Sequence, residues 1–213
     1  NAAALLSFLK GRYHVGFSDE ELKTIGSDIF FFDRSTGISI VSGVGDRVVN
    51  VPANLCKKVL LFVPRWRSET TGAYAGLDEL YGSTGYPLDA EEAEEEAISV
   101  LRGLQKGEIL GLLPNDFLPV LSGKNPEYER LFHICEALGA QAWGITGSGS
   151  GAFAILDPGK ELSPFPEKEL EWVENIFITG VMINEGFQNR ETYQDCVPFS
   201  EISIKAAFPD SIS

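Results

Sequence analysis

The chain has 213 residues, 44% apolar and 23% charged, with a formal net charge of −14. That length and composition suit one large or two small globular domains, and the acidic balance argues against general nucleic-acid binding, which needs clustered Lys and Arg. No apolar run approaches the roughly 20 residues that cross a bilayer, so no membrane partner is expected.

In chain order, Ala2 to His14 sets Leu5, Leu6, Phe8 and Leu9 at helical spacing. No basic segment precedes it and no small-residue cleavage pattern follows, which fits an amphipathic helix and not a signal peptide. Without an initiator Met, Asn1 is expected not to be the natural start of the protein. FSDEELKTIG predicts a second short helix, with Ser18 as N-cap, Glu21 completing a capping box and Gly26 ending it. DIFFF predicts a buried strand from its aromatic density, DRSTG a turn, and ISIVSG a strand before the tight GVGD, together a β-hairpin. VVNVP and KKVLLFVP then change the texture, the second a strand bounded by Pro64 that runs into the polar loop RWRSETTGAY. A boundary near Asn50 gives residues 1–50 as a first unit, 51–184 as a second and 185–213 as a tail.

Asp89 to Glu108 predicts a helix whose acidic EEAEEE lies early and whose Arg102 and Lys106 lie late, as the helix dipole favours. The acidic run reads as a solvated face. NDFLPVLSGKNPEYERLFHICEALG predicts a short helix, a loop, and a second helix with Leu131, Ile134, Cys135 and Leu138 on one face and Gly139 as its stop. AQAWGIT and AFAIL read as strands around a glycine run, and PFPEKELEWVENIFITGVMI as a helix leading into a last strand. Strands mixed with helices without regular βαβ alternation define the expected class as α+β.

Three groups of residues could carry chemistry. Successive glycines and hydroxyls at Thr146 to Gly151 allow the backbone N–H groups of Gly147, Ser148 and Gly149 to converge on an anion. No Lys follows the last Gly and a strand follows the loop, so neither standard phosphate motif is met, and composition leaves a tight turn and a ligand loop equally open. Asp28, just before the apolar run Ile29 to Phe32, would be partly desolvated there and its proton affinity raised toward that of a general base; the plainer reading is a cap or turn Asp after Gly26. In RWRSETTGAY, Arg65 and Arg67 could offset the acidic surface and Tyr74 could stack on a planar base, against the reading of an ordinary exposed loop. His14 and His133 have no partner spacing for a metal pair or a triad. Cys56, Cys135 and Cys196 lie far apart with no C-x-x-C pair, pointing to a reduced, cytoplasmic protein.

Taken in order, these pieces resemble the GHMP small-molecule kinases. Asn1-Ala2-Ala3 resembles the tail of the S-N-A-A that ends that family's ATP loop. Gly26-Ser27-Asp28-Ile29-Phe30-Phe31-Phe32 resembles G-A-D-V-P-F-F, and Gly43-Val44-Gly45-Asp46 the G-x-G-[ED] turn. Glu69 to Tyr74 resembles an S-T-x-x-A-Y loop, Asn115-Asp116-Phe117 the N-D-[LF] motif, and Thr146 to Phe153 the S-G-S-G-P-T-x-F loop. The resemblance implies a two-domain α+β kinase with ATP, Mg2+ and a small-molecule substrate in the cleft between its domains. G-S-D-I-F-F-F with N-D-F points to members that act on a cytidine diphosphate-linked polyol. Homoserine- or mevalonate-type kinases and an inactive isolated domain with a binding role are the alternatives, and a homodimer is left open.

By the same resemblance Asp28 is the catalytic base, Asn1, Gly147, Ser148 and Gly149 contact the nucleotide, and Thr70 and Tyr74 contact the cytidine end. Phe30 stands where the family has Pro, and Ser150-Gly151 where it has Pro-Thr. The Lys that partners the catalytic Asp, a base-stacking Tyr-His pair and most of the ATP loop have no match here, so the chain is expected to be a C-terminal portion of a longer enzyme. In the tail, GFQNRETYQDCVPFSEISI is similar to the family's N-terminal pattern G-Y-H-x-x-x-T…D-E-I-x-I, with Gln188 at the His position.

Overall fold

The computed structural model describes residues 2–34, 38–51, 55–82, 84–85, 89–162, 165, 167–183 and 202–204. Asn1, Gln188 and Cys196 lie outside them.

Three helices and a hairpin make the first part: α1 (Ala2–Tyr13), α2 (Asp19–Ile25), α3 (Ile29–Arg34), and the strands β1 (Ser39–Ser42) and β2 (Arg47–Asn50). The Ser18 hydroxyl accepts from the Glu21 N–H and the Glu21 carboxylate accepts from the Ser18 N–H, so α2 starts at the predicted capping box and ends at Gly26. The expectation of a strand at DIFFF is corrected, because these residues form α3. Ile29 and Phe30 turn together into a small core with Leu6 and Leu22, while Phe32 is 67% exposed. Two neighbours facing one way is a helical arrangement, and Arg34, one turn on, lies 4.7 Å over the Phe30 ring. A short, wholly apolar run carries no period of its own; α1 and α2 supplied the deciding surface. The hairpin is also shifted: β1 pairs antiparallel with β2 around GVGD, and not with DIFFF.

The second part is built on a six-stranded sheet in the order β4-β5-β6-β3-β7-β8. Its strands are β3 (Leu55–Pro64), β4 (Gly111–Leu112), β5 (Ala142–Ile145), β6 (Ala152–Leu156), β7 (Val173–Ile183) and β8 (Ile202–Ile204). The β4–β5 pair is parallel and the other pairs are antiparallel. With the helices α4 (Thr70–Tyr81), α5 (Ala90–Lys106), α6 (Leu118–Ser122) and α7 (Glu127–Ala137), this is the expected α+β class. Leu60 and Phe62 of β3 and Ala152, Ala154 and Leu156 of β6 point to one face, where α7 lays down Tyr128, Leu131, Ile134 and Cys135. Each buried leucine contributes about 1.5–3 kcal/mol, so this face is the main source of stability.

The predicted helix before the last strand is reduced to a single 3-10 turn, Glu167–Glu169. The β-branched sequence of β7 ladders against the whole of β3, and Trp172 O accepts the Arg65 N–H at 2.9 Å, which fixes the chain as extended by that point. The polar loop after Pro64 also ends early, since its second half, from Thr70, is α4. Helix α5 starts from Asp89, whose carboxylate accepts from the N–H groups of Glu91 and Glu92, and stops at Gly107, φ +75. Gly139, φ +71, follows α7 as expected. Strand β4 was not predicted; two residues are too few to show a pattern.

Candidate active site

Strands β5 and β6 run antiparallel, so the glycine run between them is their connecting loop at one end of the sheet. Thr146 N–H donates to Gly151 O at 2.8 Å and Gly149 N–H to Thr146 O at 2.8 Å, closing the loop on itself. The Gly149 amide is thereby engaged internally. The amides of Gly147 and Ser148 donate to no acceptor among the described residues. Gly147 is exposed and Ser148 half-buried, leaving two adjacent donors near the surface.

Four residues, Tyr128, Leu121, Ser68 and Asn115, hold this loop. The Tyr128 hydroxyl, on α7, donates to Ser150 O at 2.8 Å; the residue is 0% exposed, and burial pushes its phenol up to about 12. Leu121 of α6 and Ser68 sit so close to Gly149 that a Cβ there would meet Leu121 Cδ1 at 2.7 Å and Ser68 Cβ at 3.6 Å. The Asn115 amide nitrogen reaches Gly147 O at 3.1 Å and Ile145 O at 3.4 Å, while its oxygen accepts the Phe117 N–H at 2.9 Å.

Thr70 and Tyr74 lie four residues apart in the first turns of α4, and both are exposed. That spacing puts them on one helix face. The Tyr74 ring stands edge-on to Phe117, 5.0 Å between centroids. The glycine loop, the Asn115-Asp116-Phe117 turn and the start of α4 are therefore neighbours. Arg65 and Arg67 are turned elsewhere: Arg65 Nε donates to Glu171 O at 2.8 Å, and Arg67 pairs with Glu174 at 2.9 Å.

Asp28 lies in the turn between α2 and α3. The expectation of a desolvated carboxylate is corrected, since the residue is exposed, and its carbonyl accepts from Phe32 N–H at 3.4 Å as α3 begins. Gly45, φ +88, packs the GVGD turn onto Ser27; a Cβ at Gly45 would lie 2.7 Å from Ser27 Cβ. Asp46 from that turn pairs with Lys23 at 3.0 Å, which holds the carboxyl below and the ammonium above their usual values. Among the described residues no hydrogen bond or ion pair joins Asp28 to the glycine loop. His14 and His133 are exposed on or beside their helices.

Sequence reasoning missed Ser68 and Tyr128, and it noted Asn115 only as part of a motif. A tyrosine three residues before Leu131 on the apolar face of α7 was the one available signal that a buried hydroxyl needed an acceptor.

The fold is similar to that of the GHMP small-molecule kinases. The profile described as GHMP kinases C terminal matches residues 97–163, and the chain superposes with a TM-score of 0.60 on a crystal structure of 4-(cytidine 5'-diphospho)-2C-methyl-D-erythritol kinase, at 22% identity over 86% of this chain and 64% of that one. Among curated proteins it is similar to the 4-diphosphocytidyl-2-C-methyl-D-erythritol kinases of Chlorobium luteolum, 24% identical over 74% of this chain and 54% of the relative, Leptospira interrogans, 28% over 73% and 53%, and Geobacter sp. strain M21, 27% over 74% and 53%. The chain spans about half the length of these relatives. No described helix is long and apolar enough to cross a membrane.

Proposed function

We propose that the chain is the glycine-loop-bearing portion of a cytoplasmic kinase that transfers the γ-phosphoryl group of ATP to the 2-hydroxyl of 4-diphosphocytidyl-2-C-methyl-D-erythritol, in the non-mevalonate isoprenoid pathway. The observation that carries this reading is that two amides with no acceptor among the described residues sit in a loop whose Asn115 contact leads, through Phe117, to an exposed aromatic ring with a hydroxyl on the same helix face. Phosphoryl transfer asks a protein mainly for positioning and for stabilisation of charge on phosphate oxygens, which such a surface can supply.

In this reading the Gly147 and Ser148 amides donate to phosphate oxygens, with Gly149 shaping the loop and Asn1 beside the nucleotide. Tyr74 stacks on the cytosine and Thr70, one turn away, hydrogen-bonds to the same end of the substrate. Asp28 accepts the hydroxyl proton as the substrate oxygen bonds to the γ-phosphorus. The bond from that phosphorus to the β,γ-bridging oxygen breaks, and ADP leaves. Among the described residues no group of three or more His, Cys, Asp or Glu side chains could hold a metal, so no residue is assigned to Mg2+, which enters with the nucleotide.

The test is ADP release by the full-length protein with the cytidine-linked polyol and with homoserine and mevalonate as controls. Turnover of the first alone is expected. Asp28→Asn should lower kcat by about 10²–10⁴-fold, the usual weight of a general base, without disturbing the fold. Silence with all three substrates would remove the kinase reading, and full activity in Asp28→Asn would remove Asp28 from the base role.

A further inference from the structure

We propose that Asn115 is a positioning residue that ties the glycine loop to the aromatic face of α4, so that the phosphate side and the nucleobase side of the site move as one piece. The proposal rests on the kinase reading for its kinetic consequences, though not for its geometry. The side-chain amide of Asn115 has two N–H donors and one carbonyl acceptor. Its nitrogen reaches Gly147 O at 3.1 Å, on the second residue of the loop, and Ile145 O at 3.4 Å, on the last residue of β5. Its oxygen accepts the Phe117 N–H at 2.9 Å and its backbone carbonyl the Leu118 N–H at 2.9 Å, which sets the turn into α6. Phe117 in turn supplies the edge on which Tyr74 rests, 5.0 Å away. One amide thus joins the carbonyl of Gly147, whose own N–H has no acceptor among the described residues, to the residue that orients the exposed ring. The adjacent Asp116 is exposed and shares none of these bonds.

Two roles are separable. A residue that only shapes the turn into α6 needs its acceptor, and Asp or Ser supplies an equivalent acceptor in an Asx- or ST-type turn. A residue that also holds the loop needs its donors, which Asp replaces with an oxygen facing two carbonyls and Ser is too short to reproduce. In the complete protein, Asn115→Asp and Asn115→Ser are therefore expected to leave the thermal unfolding midpoint within a few degrees of wild type. They should lower kcat by about 10- to 100-fold, the scale of a misplacement of about 1 Å, and raise KM for both ATP and the polyol. The Asn115→Asp deficit should shrink as pH falls, because a protonated carboxyl regains one donor; a turn-only role predicts no such recovery. Combining Asn115→Ser with Tyr74→Ala should give less than the product of the single effects, since both act on one unit.

Amide hydrogen exchange across residues 146–151 provides a readout that needs no turnover, and Asn115→Ser should speed it at least tenfold. If the wild type turns over the polyol and both variants match it in kcat, both KM values and pH profile, the proposal is overturned. If the wild type has no kinase activity, the function reading fails, and unchanged loop exchange in Asn115→Ser then overturns the positioning role separately. Should Asn115→Asp fail to fold, Asn115→Ser alone decides by the same measurements.

Discussion

Gly149→Ala places a methyl group in the tightest part of the glycine loop. The residue has φ +80, a conformation that costs an L-residue about 1–2 kcal/mol. The new Cβ would lie 2.7 Å from Leu121 Cδ1, 3.5 Å from the Tyr128 hydroxyl and 3.6 Å from Ser68 Cβ. Carbon atoms in contact prefer about 3.5–4.0 Å, so Leu121 must retreat by roughly 1 Å. Leu121 is only 5% exposed and packs in the main core, and forcing such a movement costs about 1–3 kcal/mol. The expected loss is thus about 2–5 kcal/mol, a large share of the 5–15 kcal/mol typical of a domain. Gly147 is the internal control, because a Cβ there meets nothing within 4 Å and only its φ of +48 is strained, for about 1 kcal/mol. Equilibrium urea unfolding followed by tryptophan fluorescence measures both, since Trp66, Trp143 and Trp172 all belong to or border the main core. If Gly149→Ala lowers the midpoint no more than Gly147→Ala, the loop does not rest on Leu121 and the account of how it is held is wrong.

Tyr74 is 54% exposed, so Tyr74→Ala should change stability by no more than about 0.5 kcal/mol. It should raise KM for the cytidine-linked substrate by roughly 5- to 150-fold, the weight of one base–aromatic stack, while Tyr74→Phe stays near wild type; an unchanged KM in Tyr74→Ala would take Tyr74 out of substrate binding. Burial raises the Cys135 thiol from 9.0 to about 12 and the Tyr128 phenol from 10.0 to about 12. In both, the folded protein keeps a proton that the unfolded chain releases first. Their contribution is fully present below pH 9 and is lost as pH rises through 9 to 12. Urea unfolding at pH 7, 9 and 10.5 should show a falling midpoint that is shallower in Cys135→Ala, and parallel pH dependence in the two proteins would contradict it.

What could be read from the sequence was whatever neighbours along the chain decide. Helix α2 starts where Ser18 and Glu21 satisfy each other's backbone, and α7 shows its buried face through Leu131, Ile134 and Cys135 at helical spacing. DIFFF does not reveal its helix because its conformation depends on Leu6 and Leu22, from two other helices, and Ile29 to Phe32 holds no polar residue that would show a period. The site divides in the same way. Its glycines, Tyr74 and Asn115 stood out as motif residues, yet the bonds that assemble them join Asn115 to Gly147, 32 residues on, and Tyr128 to Ser150, 22 residues on. In both bonds the acceptor is a backbone carbonyl, a group every residue carries, so residue identity holds no trace of the pairing.

The two sides of the proposed site also owe their precision to different forces. The glycine loop stands on the large core through Leu121 and Tyr128, both well buried. Asp28 stands on a cluster of four buried residues, Leu6, Leu22, Ile29 and Phe30, braced at the surface by Lys10–Asp33, Lys23–Asp46 and Arg34–Asp19. Exposed ion pairs contribute little and weaken with salt, so they cannot by themselves fix a carboxylate to the tolerance phosphoryl transfer needs. What remains is contact: Gly45 against Ser27, with no room for a methyl group between them, and Ile29 and Phe30 inserted immediately after Asp28. The GVGD turn and the G-S-D segment thus meet as one packed unit. Phe30, which stands where the resembled motif has Pro, ties that unit down, because in the helix the segment adopts its side chain is the most buried member of the small core.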